Sequence, residues 1–394
     1  MIQAGVGFST AHNPRTAAIE ASTRAMKQAG LKRAAGAMCF ATTAHGGAFP
    51  LIVRMVASTA NTTHVAGCSA AGVIAGTDEI ESGPAVSVVV FGGGAIGAQR
   101  AFVPTVRGRA AQAARELADA IRPAPGRSNL LCVFPDTYNV DPDRFVAALA
   151  AALSGVTIVG GGATEDGSIG ETFQFCGDTV SSNSVSAMLI SGDFDLDVGA
   201  SIACTQVGAM HRVTSVRDNI VMSLDDRPAY EVFAEAAGPL ADDLRRAIQF
   251  VFLGIPLDEN ATRLERGRFV VRNIIGASEE HGVIAIANPL NEGDLVALVL
   301  RNGERAREDL KATLGEMATR SSQSAPAFGL YFDCASRGSG LYGIPGHDCA
   351  YIQQHLGPVP VAGFFTGFEI GPVLDSAGVL LYSGVLALVS PRAS

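Results

Sequence analysis

The sequence predicts an α/β protein built from repeated strand-helix-strand units that form layered sheets with helices. It is arranged in two halves, the second carrying an added hairpin and a mixed sheet. Three observations lead there. Short, mostly apolar runs such as Val86 to Phe91 recur and suit strands covered on both faces. Each repeat ends a strand in a Gly-rich or polar turn, and Asn-Pro or Asp-Pro pairs open the helices.

In order, Asn13-Pro14 opens a helix that carries Ile19 and Met26, holds the i,i+4 pair Glu20 and Arg24, and stops at Gly30. A strand from Ala37 to Ala41 ends in the polar loop Thr42 to Gly47, and a second helix runs from about Pro50 to Ser58. The segment Val65 to Ile74 is a strand breaking into a glycine-bracketed turn, followed by the strand Val86 to Phe91. The order returns with Leu130 to Phe134, the turn Asp136 to Asn139, a helix opened by Asp141-Pro142, the run Val156 to Glu165, and a strand near Val185 to Ile190. A third copy starts at Phe328 to Phe332, turns at Asp333 to Gly338, passes a helix closed by Gly357, and reaches Val361 to Ile370 and a last strand from Val379 to Val389. Internal duplication explains this order better than chance does.

Between the second and third copies the texture changes. Arg212 to Val216 and Ile220 to Leu224 read as a hairpin around an Asx-containing turn. Helices follow from Asp225-Asp226-Arg227-Pro228 and from about Leu240, then strands at Arg268 to Ile275 and Leu295 to Leu300. Gly303 to Arg320 is a helix, and 320–325 a Ser-rich connector. The expected division is 1–210, an α/β domain with two repeat units, and 211–394, a domain with the hairpin, helices and third unit. At roughly 150 residues per domain, a chain of 394 residues fits two or three units.

Composition sets limits on function. With 48% hydrophobic and 17% charged residues the chain is globular. The net charge of −9 is spread along the chain, so no basic footprint for nucleic acid or polybasic membrane patch is expected. The N-terminus lacks the basic start and apolar run of a signal peptide, and no apolar stretch could span a bilayer, so the expected location is the cytoplasm. The 7 cysteines are scattered without a C-x-x-C pair, which predicts reduced thiols and no metal.

Turns at the carboxyl ends of strands are where α/β proteins hold ligands, and Gly67, Ser69, Gly72, Thr164, Gly363 and Thr366 lie in such turns. Their backbone N–H groups and hydroxyls suit a carboxylate; the glycines suit close strand packing equally well. Arg337, with its planar fork, is the preferred anion partner, and Glu369 could take an amine, although the two could also bridge each other. Gly67-Cys68-Ser69-Ala70-Ala71-Gly72 resembles a nucleophile elbow with one residue too many, which keeps a Cys68 or Ser69 hydrolase or transferase open, with His45, His64 or His347 as base. The glycine runs at Gly92 and Gly160 lack dinucleotide and P-loop spacing, so no cofactor is expected.

Three motifs then combine: V-x-G-C-S-x-x-G at Val65 to Gly72, F-x-C-x-x-R-G at Phe332 to Gly338, and G-F-F-T-x-x-E-I at Gly363 to Ile370. Together they resemble the FIST domain, over nearly the whole chain, in its stand-alone form. The resemblance implies a two-part bacterial-type sensory module that binds a small ligand, amino-acid-like or otherwise carboxylated. With the turn chemistry above, the expected ligand site is drawn from Gly67, Cys68, Ser69, Gly72, Thr164, Cys334, Arg337, Gly363, Thr366 and Glu369. The family's end motif sets Gly directly before Glu, whereas Phe368 intervenes here. No output segment is recognisable, so the resemblance implies a downstream signalling protein in trans; an interaction module without a small ligand is the remaining alternative.

Overall fold

The computed structural model describes residues 2–94, 96–321 and 324–392, so part of the expected Ser-rich connector lies outside the described residues. The chain divides into a larger unit, 1–200 with 310–379 and 383–394, and a smaller one, 201–309 with 380–382. This grouping differs from a division at residue 210, because the third repeat belongs to the larger unit and the smaller unit interrupts that repeat.

The first repeat is β1 (Gln3–Ser9), α1 (Pro14–Ala29), β2 (Gly36–Thr42), α2 (Phe49–Ala60), β3 (Val65–Ala70), the hairpin β4 (Val73–Ala75) and β5 (Asp78–Ile80), and β6 (Val86–Gly92). The second repeats that order: β7 (Ile96–Pro104), α3 (Ala110–Ala120), β8 (Ser128–Pro135), α4 (Pro142–Ala152), β9 (Thr157–Gly161), the hairpin β10 (Gln174–Cys176) and β11 (Thr179–Ser181), and β12 (Ser184–Gly192). The third opens with β13 (Phe194–Ile202). The smaller unit follows, with β14 (Cys204–Arg217), β15 (Ile220–Leu224), β16 (Arg227–Pro228), α5 (Ala229–Ala237), α6 (Leu244–Ala247), β17 (Val251–Pro256), β18 (Phe269–Ser278), β19 (Val283–Ile286) and β20 (Leu295–Arg301). The third repeat then resumes: α7 (Gly303–Arg320), β21 (Phe328–Cys334), α8 (Ser339–Tyr342), α9 (His347–Leu356), β22 (Val361–Thr366), the hairpin β23 (Glu369–Val373) and β24 (Ser376–Leu380), and β25 (Ser383–Pro391).

Local chemistry fixes these ends. The Asn13 carboxamide accepts from the Thr16 N–H at 3.0 Å at the start of α1, and Gly30 closes the helix in the left-handed conformation. Asp141 caps α4 in the same way through the Arg144 N–H at 3.1 Å.

Each repeat supplies one parallel pair to one mixed sheet. The three sheets run β1-β6-β2-β3-β10-β11, β7-β12-β8-β9-β23-β24 and β13-β25-β21-β22-β4-β5. Their registers coincide: Gly67 faces Cys39, Gly160 faces Val133 and Gly363 faces Tyr331. The last two strands of each sheet come from another repeat, in a cycle: the first repeat's hairpin completes the third sheet, the third's completes the second, and the second's completes the first. Equivalent phenylalanines, Phe40, Phe134 and Phe332, meet with Phe364 at ring separations of 4.8 to 6.2 Å. The repeats thus share one aromatic core.

In the smaller unit the strand pairs are antiparallel, and β14 pairs with both β20 and β15, which closes the strand order into a ring. Its core sets Phe233 and Val232 of α5 against Leu253, Ile274, Ile284 and Leu298.

Candidate functional site

Three turns at the carboxyl ends of the parallel pairs begin from one constraint. A Cβ on Gly67, Gly160 or Gly363 would lie 1.8, 2.0 or 1.7 Å from the carbonyl oxygen of the facing strand. These glycines are therefore needed for close approach of the two strands.

The ten residues singled out in the sequence lie in the larger unit and fall into three sets. In the first, the Ser69 hydroxyl donates to the Thr164 carbonyl at 3.0 Å and accepts the Phe173 N–H at 3.0 Å. Thr164 accepts the Ala71 N–H at 3.0 Å and donates to the Phe365 carbonyl, while the Phe365 N–H donates to the Gly72 carbonyl. Ser69, Gly72 and Thr164 thus join all three repeats through hydrogen bonds among themselves and to Ala71, Phe173 and Phe365. Cys68 is fully buried beside them, and burial raises its thiol well above its ordinary range, Cys39 adding to the shift. A buried neutral thiol and a hydroxyl engaged by two backbone groups are not arranged as nucleophiles.

In the second set, Glu369 is fully buried and accepts from Thr366 Oγ1 at 2.5 Å, Ser383 Oγ at 2.6 Å and the Ser383 N–H at 3.1 Å. Burial pushes its carboxyl up to about 7, against the pull of those hydrogen bonds. Thr366 Oγ1 also lies 3.0 Å from the Asp333 carbonyl oxygen. Gly363 stands at the base of this strand end, and Cys334 lies alongside with its sulfur 3.1 Å from Ser336 Oγ.

Arg337 carries the third set. Its side chain is wholly buried, and it does not bond Glu369. Its Nε lies 2.9 Å from both Asp333 Oδ1 and Asp348 Oδ2, and its Nη2 donates to Asp348 Oδ2 at 2.7 Å and Tyr342 OH at 2.8 Å. Tyr331 OH donates to Asp348 Oδ2 at 2.7 Å. Three atoms of this network have no hydrogen-bond partner among the described residues: Arg337 Nη1, Asp333 Oδ2 and Asp348 Oδ1. Burial holds the Asp333 carboxyl well above its usual range, and Asp348 reinforces the shift while Arg337 opposes it.

A loop from the third repeat covers the network, and the first repeat's hairpin holds that loop. Glu79 accepts the Gly346 N–H at 3.0 Å and the Cys349 N–H at 2.8 Å, at the start of α9. Glu81 accepts the Ser339 N–H at 2.9 Å. Between these attachments Ser339, Gly343 and Ile344 are exposed.

Models of two family domains match the chain, the FIST N domain over residues 37–227 and the FIST C domain over 229–372. The chain belongs to the FIST family. FIST domains are sensory domains of signal transduction. The chain is also similar to Uncharacterized protein Rv0628c of Mycobacterium tuberculosis and Uncharacterized protein Mb0898c of Mycobacterium bovis, each 28% identical over 386 residues that cover 98% of either chain. Among solved structures, a cyanuric acid hydrolase from A. caulinodans overlaps 48% of this chain and 71% of its own at 11% identity, with a TM-score of 0.27. The FIST C segment crosses the structural units: 310–372 lie in the larger one. Among the described residues no helix is long and apolar enough to cross a membrane.

Reading the FIST sequence alone missed Asp348, Tyr331, Tyr342 and Glu79 as parts of the site, and treated Asp333 only as a turn residue. Two signals were present: a carboxylate closing the apolar run Phe328 to Phe332, and another beside His347 at a helix start. The three repeats differ at this place. The register sets Ala41 and Pro135 where the third repeat has Asp333, and counting on along the turn sets His45 and Asn139 where it has Arg337.

Two surface clefts of the larger unit lie elsewhere. One of ≈ 310 Å³ is bounded by Gly76, Thr77 and Pro358 to Val361, and one of ≈ 620 Å³ by Leu374, Asp375 and Ser154 to Ile158. They occupy equivalent places, each between a helix-strand loop and the tip of a hairpin from another repeat. None of the ten residues lines either.

Proposed function

We propose that this FIST protein is a sensor that binds a small charged metabolite, of amino-acid or related carboxylated type, at the strand ends of its third repeat. The carrying observation is the buried Arg337, Asp333 and Asp348 group with three unpartnered polar atoms. Burying an ion pair costs several kcal/mol per ion, and this is recovered only if the remaining donors and acceptors are met. Two repeats close the same strand end with Ala41 and His45 or Pro135 and Asn139, so the fold does not require an arginine-aspartate pair there. A buried arginine with two aspartates, found at one of three like sites, fits a binding role. The ligand acts by its difference in affinity for two states of the protein, which a signalling partner in trans would read.

Thermal unfolding against the twenty amino acids and a panel of carboxylates tests this. A ligand at 100 times its Kd adds about 2.7 kcal/mol. A rise in melting temperature with one compound class, lost in Arg337→Lys, is the expected result. No rise with any compound overturns the reading.

A further inference from the structure

We infer that the group anchored in this site is a cationic amine, held by Asp333 Oδ2 and Asp348 Oδ1. The inference rests on the small-ligand reading above and sharpens it. Its basis is a count of charges and free atoms. One guanidinium, Arg337, faces Asp333 and Asp348 directly, within 2.9 Å, and the Glu79 and Glu369 carboxylates stand within electrostatic reach of Asp333. The free atoms are two carboxylate oxygens, one on each aspartate, and the guanidinium nitrogen Nη1 with its two N–H bonds.

An ammonium brings three donors and no acceptor, so it satisfies both oxygens, and its positive charge favours the ionised carboxylates that burial disfavours. A ligand carboxylate would find donors on Arg337 Nη1 alone, would leave both aspartate oxygens unmet and would bring a negative charge beside four acidic groups. Both aspartates are more than nine-tenths buried, so the contrast is not softened by bulk water. Arg337 has a fixed job in this arrangement: it holds Asp333 Oδ1 and Asp348 Oδ2 and leaves Asp333 Oδ2 and Asp348 Oδ1 to the ligand. A zwitterion is accepted through its ammonium end.

The test uses the full chain and chloride salts of methylammonium, ethylammonium and 1,4-diaminobutane, against sodium acetate, propionate and succinate at matched ionic strength. The expected result is a saturable rise of a few degrees in melting temperature with the amines and none with the carboxylates. The midpoint concentration should rise tenfold or more in Asp333→Asn, and equally in Asp348→Asn should the first variant fail to fold. Glu280→Gln, on the exposed surface of the smaller unit, should behave as wild type. Carboxylates shifting the melt in place of amines would sink the amine assignment and leave the small-ligand reading standing. Amine binding that survives both aspartate variants would overturn the site. No shift with any probe, here and in the amino-acid panel, would remove both.

Discussion

Arg337 sits in the interior with two aspartates bonded to it and a third edge of its guanidinium unpaired. Removing it leaves Asp333 and Asp348 facing each other in a low-dielectric setting. Arg337→Ala should therefore destabilise the protein by about 3–5 kcal/mol, read from urea unfolding; a loss below about 1 kcal/mol would mean the pair is hydrated and unimportant. Glu369 gives a prediction in pH. Its carboxyl is raised from 4.5 to about 7 because it is buried. The folded protein thus holds that proton more tightly than the unfolded chain does. The stability gained from it is fully present below about pH 4.5 and is lost as pH rises through about 7, a change on the order of 3 kcal/mol. Unfolding free energy measured from pH 4.5 to 7.5 should fall more steeply in wild type than in Glu369→Gln; parallel curves would show that Glu369 does not titrate in this window.

At the scale of elements, the parallel pairs were legible because their signal is local. Apolar runs, cap residues such as Asn13 and Asp141, and Gly30 or Gly357 behind helices each act within a few residues, and the helices they predict are found. The strands β1, β7 and β13 and the exchanged hairpins were not legible. Half-polar edges such as Gly97 to Arg100 carry weak periodicity, and no local rule states which sheet a three-residue strand will join. The site was half legible for the same reason. Arg337 and Glu369 stand in motifs, but their pairing with Asp348 and Ser383, and the approach of Glu79 from another repeat, are tertiary. Two predictions belong here. Gly160→Ala puts a methyl 2.0 Å from the Val133 carbonyl and should cost at least 1–3 kcal/mol, whereas Gly47→Ala, with nothing within 4 Å, should cost little; equal melting temperatures would contradict the close-approach argument. Glu79→Ala removes the acceptor of the Gly346 and Cys349 N–H groups. Hydrogen exchange at those amides should quicken tenfold or more while β21 stays protected, and unchanged exchange would mean that this carboxylate does not hold the loop.

For the larger unit as a whole, the cyclic exchange of hairpins decides how it folds. A repeat in isolation has its own parallel pair and helices, but its sheet lacks the two strands that another repeat supplies, and its own hairpin has no sheet to join. Its central phenylalanine also loses its partners, since Phe40 packs on Phe134 and Phe364 from the other two repeats. Neither loss is recoverable within one repeat: an unpaired buried strand edge leaves backbone groups without partners, and truncated aromatic contacts leave apolar surface in water. The three repeats should therefore fold as one cooperative body. A fragment spanning residues 1–92, which contains the whole first repeat, should show no cooperative thermal transition by circular dichroism. Phe134→Ala in the full chain should lose about 3–5 kcal/mol and loosen hydrogen exchange in all three sheets together. A folded 1–92 fragment, or loosening confined to the second sheet, would mean that the repeats are autonomous and that the shared core is only a contact between them.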